Sequence, residues 1–251
     1  MVGLRPRALW LALPLLLPLS LWLPPARPPQ SPPLPPATLH YAATWRLLPA
    51  GQATLRWSNL HGQRQITFSA DASRLVALFY PLRDRMQSLY DPQSFCATSV
   101  DNDTLEGRRH RQTHILYQPG LKQLTLDETD LSHQPPVAKH EVKPIPGCVL
   151  DLFSALDYVR AQPLRVGDVY NFPVNEGGQT GEVRLTVDLR ETVTTPAGRF
   201  TAVRAHPTVL DPKALRRPGQ MWIWFSDDAR HLPVQVETKV SWGTLIAQLE
   251  N

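Results

Sequence analysis

Val183-Arg-Leu-Thr-Val-Asp-Leu-Arg190 alternates apolar and polar residues through four repeats. A period of two sends Val183, Leu185, Val187 and Leu189 to one side of an extended chain. Arg184, Thr186, Asp188 and Arg190 go to the other, which is a strand with one dry and one wet face. Val234-Gln-Val-Glu-Thr-Lys-Val240 repeats the pattern with one interruption, at Thr238. Met221-Trp-Ile-Trp-Phe225 is apolar on both sides, as expected of a strand covered on both faces. Thr54-Leu-Arg-Trp57, Gln65-Ile-Thr-Phe68 and Thr113-His-Ile-Leu-Tyr117 read as three more strands. Leu121-Lys-Gln-Leu-Thr-Leu126 follows the Pro119-Gly120 turn as another.

Leu48-Pro-Ala-Gly51 and Thr195-Pro-Ala-Gly198 share one turn signature. Proline presets the second turn position and glycine supplies a positive φ, so both are expected at hairpins with a glycine bulge. Helix is scarce. Val149, Leu152, Phe153, Leu156 and Val159 fall at helical spacing, with Asp151 early and Arg160 late to suit the helix dipole. Ala72 to Phe79 reads as a second short helix capped by Asp71. The expected fold is therefore mainly β: a strongly curved antiparallel sheet, or an incomplete barrel or sandwich, with one or two short helices packed on it.

Arg5 and Arg7 precede an apolar run from Ala8 to Leu23, and Pro24 to Pro36 holds eight prolines in thirteen residues. A positive flank, a short apolar core and a stiff spacer make an export signal. The run is shorter than the roughly 20 residues of a straight membrane helix. Residues 1–23 are thus a cleaved signal peptide or an uncleaved amino-terminal anchor, with membrane association through residues 8–23 in the second case. No cysteine follows the run, which excludes a lipid-modified anchor at that point. Residues 24–37 form a proline-rich linker that favours polyproline II, and residues 38–251 are long enough for a single β-rich domain. The expected location is periplasmic or held at the inner membrane. In that compartment Cys96 and Cys148 favour a disulfide, two separate buried thiols being the alternative. The net charge of +4 and the lack of a long basic run argue against a nucleic-acid partner.

Four blocks occur in a fixed order: Trp45-Arg-Leu-Leu-Pro-Ala-Gly51, Val149-Leu-Asp-Leu-Phe-Ser-Ala-Leu-Asp-Tyr-Val-Arg160, Thr195-Pro-Ala-Gly-Arg-Phe200 and Trp224-Phe-Ser-Asp-Asp-Ala-Arg-His-Leu-Pro-Val-Gln-Val236, followed by Gly243. In these the chain resembles the bacterial domain-of-unknown-function family 3108, exported proteins, over roughly Thr38 to Leu249. The resemblance implies a curved antiparallel sheet related to the lipoprotein-carrier (Lol-type) half-barrel, whose members cradle acyl chains. The family brings no catalytic residues to transfer.

No nucleophile elbow, phosphate loop or dinucleotide fingerprint is present, so no catalytic residue, cofactor or metal is assigned. Asp227-Asp228 reads as a hairpin turn, and Asp101-Asn-Asp-Thr-Leu-Glu-Gly107 as an Asx-rich turn in place of a calcium loop. His110 and His114 lie about 13 Å apart on one strand face, too far to share a metal. Trp45, Trp57, Trp222 and Trp224 are the candidate ligand-binding residues of the curved sheet, Trp222 and Trp224 sharing one strand face, and core packing is their alternative role. Arg108, Arg109 and Arg111 are the candidate contact with an anionic surface. Three functions remain open: a non-enzymatic envelope protein binding a lipid-like ligand, a module that binds another envelope protein, and a hydrolase using Asp151, Asp157, Asp227 or Asp228 with a histidine.

Overall fold

A computed structural model of the protein describes residues 37–46, 48–211, 220–240 and 243–251. The export segment, residues 24–36 of the linker and Trp242 lie outside the described residues. In chain order the elements are β1 (Thr38–Trp45), β2 (Leu48–Leu60), β3 (Gln63–Ala72), α1 (Arg74–Ala77), β4 (Leu82–Tyr90), β5 (Ala97–Glu106), β6 (Arg109–Gln118), β7 (Gln123–Asp130), β8 (Val137–Pro144), α2 (Leu152–Arg160), β9 (Val169–Glu176), β10 (Gln179–Thr195), β11 (Gly198–Val209), β12 (Gln220–Ser226), β13 (Pro233–Val240) and β14 (Gly243–Leu249). The strands form one antiparallel sheet in the order β8-β7-β6-β5-β4-β3-β2-β1-β14-β13-β12-β11-β10-β9. It is two meanders joined where β1 pairs with β14.

The sheet curls on itself. β6 and β9 are eleven strand spacings apart in that order, about 53 Å if the sheet were flat. Yet the Tyr117 hydroxyl on β6 donates to Asn175 Oδ1 on β9 at 3.1 Å. β8 and β9 do not pair with each other, so the barrel is incomplete. The chain between β8 and α2 runs into the opening. There the Ile145 N–H donates to the Lys122 carbonyl, the Ala97 N–H donates to the Val149 carbonyl, and Leu150 makes a single parallel bridge to Val174. The Cys96–Cys148 disulfide, with Cα atoms 5.1 Å apart, ties this stretch to the start of β5.

Helix α2 follows and is enclosed by the sheet. Phe153 packs with Trp57, Ile66, Tyr90 and Trp224 in one core cluster. Ala155 and Val159 pack with Val183, Leu185, Val187 and Phe225 in a second. Ile115, Tyr117, Leu124 and Leu126 make a third against Val149. β12 is covered on both faces as its composition requires: Trp222 and Trp224 belong to the first cluster, Ile223 and Phe225 to the second.

Several expectations are corrected. The register shifts between Val187 and Leu189, so Leu189 leaves the dry face and is exposed. Thr195–Gly198 does close the β10–β11 hairpin, with Gly198 at φ +131°. Leu48-Pro-Ala-Gly51 is not a turn; it lies within β2, beside a bulge opposite Ala43 and Thr44. Gly51 is needed there because a Cβ would sit 2.2 Å from the Asp71 carbonyl oxygen. α2 begins at Leu152, not Val149, because the Asp151 side chain caps it by accepting from the Phe153 and Ser154 amides. The second helix is only Arg74–Ala77 and is capped by Ser73; Asp71 belongs to β3. Residues 119–121 form a 3₁₀ turn, which delays β7 to Gln123. Residues 101–106 are strand, and the turn expected there is confined to Gly107 and its neighbours.

Two substitutions test this core. Phe153→Ala should cost about 3–5 kcal/mol in urea unfolding. Removing the disulfide as Cys96→Ala/Cys148→Ala should cost about 4 kcal/mol in the chain-entropy account, with the native near-ultraviolet spectrum retained before the transition.

Candidate functional site

Three places carry unusual chemistry, and the first is inside. Asp157 on α2 is buried between two buried arginines. Its Oδ1 accepts from Arg160 Nη1 at 3.0 Å and its Oδ2 from the Tyr90 hydroxyl at 2.5 Å. Arg64 Nε lies 3.7 Å away, beyond hydrogen-bond length. The Arg160 guanidinium also stands over the Trp57 ring at 4.5 Å and donates to the carbonyls of His231 and Arg230. Burial lowers the Arg160 pKa, while Asp157 opposes the shift. Asp151 accepts from the Ser88 hydroxyl at 2.7 Å as well as from the α2 amides. Burial still raises its pKa above the usual carboxylate range.

These groups anchor a helix. Ser154 exchanges hydrogen bonds with the Asp151 main chain, and the His231 ring faces the Arg160 carbonyl. Asp227 pairs with Arg190, and Asp228 with Arg230 and Ser226. None of these four aspartates bonds a histidine ring among the described residues, and no three His, Cys, Asp or Glu side chains there converge as a metal site requires.

The second place is a polar trough of about 690 Å³ on β2–β7. It is built from two neighbouring cross-strand rows. One runs Arg56, Thr67, Gln87, Asp101, His114, Asp127 through successive partners from β2 to β7. The other runs Thr54, Ser69, Arg85, Asp103, Gln112, Thr129 across the same strands. Alternation puts these on the face opposite Leu55, Ile66, Ser88, Val100, Ile115 and Leu126, all of which are buried. His114 Nδ1 lies 2.6 Å from Asp101 Oδ1, and His110 Nε2 2.8 Å from Asp103 Oδ1. Burial raises the Asp103 pKa, but hydrogen bonds from His110 and Gln112 outweigh it and the net shift is downward.

The third place is the tip between β3 and β4. Leu75, Leu78 and Phe79 are 72, 77 and 86% exposed, and Leu48 beside them is 65% exposed. Ser73 fixes the tip by donating its N–H to the Ala50 carbonyl and its hydroxyl to the Pro49 carbonyl. Gly107 docks the β5–β6 turn against it: its N–H donates to the Pro81 carbonyl, and a Cβ there would meet the Tyr80 ring at 2.9 Å. Exposed Arg108 and Arg109 follow directly. Arg111 is separate, 3.6 Å from Asp130.

The tryptophans are distributed differently from the arginines. Trp57 and Trp224 are core residues, Trp224 Nε1 donating to Glu191 Oε1 at 2.8 Å. Trp222 is half-buried and stacks on His206 at 5.4 Å. Trp45 is half-buried at the end of β1 beneath Arg46. Trp57, Trp222 and Trp224 thus share one core cluster, and Trp45 is not part of it. Sequence patterns missed the trough because its rows exist only once the register of six strands is set. The tip had a signal in Leu78-Phe79, which the sequence placed at the end of a short helix.

Asp157→Asn would leave Arg64 and Arg160 buried without a counter-charge, at an expected cost of about 3–5 kcal/mol in urea unfolding. For Asp151, a pKa raised on folding means stability that is present below the unfolded value and lost as pH rises through the folded one. Asp151→Asn, which keeps a capping acceptor, should therefore gain on the wild type as pH climbs from acid to neutral. Parallel urea midpoints across that range measure it, and a constant difference contradicts it.

The sequence matches the family model for protein of unknown function DUF3108 over residues 40–250. No curated protein matches it. Among solved structures, a β-barrel-like DUF1849 protein from Brucella abortus superposes with a TM-score of 0.59 at 8% identity, covering 86% of this chain and 96% of that one. At that identity the likeness extends to the fold alone. A protein described as exported, with a YmcC-like fold, from Bacteroides fragilis gives a TM-score of 0.34 at 10% identity, over 85% of this chain and 93% of that one. Nearly the whole described domain falls within the family match, and the chain belongs to the DUF3108 family of proteins of unknown function.

Proposed function

We propose that this is an exported, non-enzymatic protein of the cell envelope, periplasmic or anchored through residues 8–23, that binds a lipid-like, amphipathic surface. The observation that carries the reading is the exposed group Leu48, Leu75, Leu78 and Phe79 with Arg108 and Arg109 beside it. Large apolar side chains clustered in water mark an interaction site. Adjacent arginines favour anionic headgroups, at about 1 kcal/mol each near a charged surface. The interior of the sheet is occupied by α2, so this reading moves the apolar contact from the curve of the sheet, where Trp57 and Trp224 are packed, to its end. A second reading, binding of another envelope protein, has one specific support: β8 is an unpaired edge with Val137 and Val142 exposed.

Residues 31–251, one compact unit, should co-sediment with vesicles containing phosphatidylglycerol. Leu78→Ser/Phe79→Ser should lower the bound fraction at least ten-fold. Arg108→Gln/Arg109→Gln should weaken binding to anionic vesicles, by about five-fold per arginine, and leave binding to phosphatidylcholine unchanged. Equal sedimentation of all three proteins would reject the tip. A single partner recovered at moderate salt by both wild type and the Leu78/Phe79 variant would favour the β8 edge.

A further inference from the structure

The trough has a polarity that the tip does not explain. Along its first row, Arg56 on β2, Thr67 on β3, Gln87 on β4 and Asp101 on β5 are successive Cα partners. A cation and a carboxylate therefore stand at the two ends of a line three strand spacings long, about 14 Å. Arg56 is exposed and makes no hydrogen bond or ion pair among the described residues, nor do the side chains of Thr67 and Gln87. Arg85, the other trough arginine, is already held bidentately by Asp71 at 2.8 and 2.9 Å. At the opposite end Asp101 and Asp103 are bonded by His114 and His110, and neither pairs with a lysine or arginine among the described residues. So Arg56 is the unpaired cation at one end among the described residues, two histidine-bonded carboxylates stand at the other, Asp103 also feeling the charge of Arg83 and lying opposite Arg85, and neutral donors and acceptors lie between them.

We infer that this trough binds a short extended peptide with free termini, its α-carboxylate on Arg56 and its α-amino group on Asp101 and Asp103. An extended chain rises about 3.4 Å per residue, so four residues span the line. The Thr67 hydroxyl and the Gln87 amide stand where the ligand's main chain passes and can serve its carbonyl and N–H groups. Guanidinium–carboxylate and ammonium–carboxylate contacts are the charge-assisted bonds that fix such a ligand's direction. The trough volume of about 690 Å³ lies within the ordinary range for ligand sites. This inference is independent of the apolar tip, whose substitutions leave every trough residue in place.

Titration calorimetry of the full chain with tetra-alanine bearing free termini tests it. One-to-one binding is expected, with N-acetylation and C-amidation each weakening it at least ten-fold. Arg56→Gln should lose sensitivity to C-amidation and keep it to N-acetylation; Asp101→Asn should do the reverse. This crossed pattern is a coupling that general loss of structure does not produce. Absence of binding by the free peptide, or equal binding of free and doubly capped peptides to the wild type, overturns the inference whatever the variants do.

Discussion

The Asp157 carboxylate, held between Arg160 and Arg64 under the Tyr90 hydroxyl, is the interaction on which the rest depends. A sheet curled this far encloses a volume that its own side chains do not fill, and α2 fills it. The helix is fixed by its ions as well as its apolar face. Arg160 reaches from α2 to Trp57 on β2 and to the carbonyls of Arg230 and His231 before β13. One guanidinium thus joins the helix to both meanders. Removing a partner from a buried pair leaves a charge with neither water nor counter-ion, so the anchor is costly to break even though its net contribution when intact is modest.

Buried charges with shifted pKa values are frequent at active sites, and Asp151 and Arg160 invite that reading. Among the described residues their partners are structural: Asp151 caps a helix, Asp157 neutralises arginines, and Ser154 bonds to main chain. Arg64 Nε and Nη2, by contrast, are buried without a hydrogen-bond partner among the described residues.

The sheet itself was legible from local pattern. The alternation from Val183 to Val187 and the doubly apolar Met221–Phe225 run both became strands with the burial their composition implies. Local pattern failed where a distant strand intervened. Leu189 continues the alternation in sequence, yet a bulge against β11 turns it outward. Leu48-Pro-Ala-Gly51 and Thr195-Pro-Ala-Gly198 share their turn chemistry; only the second is the turn itself, because Leu48 and Pro49 already pair with Trp45 and Thr44 on β1 and the bulge follows at Ala50. Val149 sits at helical spacing with Phe153, but Asp151 caps the helix after it and the disulfide-linked stretch stays extended. The trough was beyond reach for the same reason. Arg56 and Asp101 become neighbours on one line only through three antiparallel registers.

The two meanders also divide the work. On β12 both faces carry apolar packing: Trp222 and Trp224 join the cluster of Val193 and Ala202, and Ile223 and Phe225 that of Ala155 and Val159, while neighbouring β10 keeps an exposed polar face with Glu182, Arg184 and Arg190. Trp224 there is a core residue. The half from β2 to β7 buries one face only, and its other face carries arginine, aspartate, histidine, threonine and glutamine in rows. A half-buried antiparallel sheet keeps its exposed face free to vary because stability is decided on the other side. The β2–β7 face and the tip thus present their exposed polar and apolar side chains on a sheet held by its packed interior.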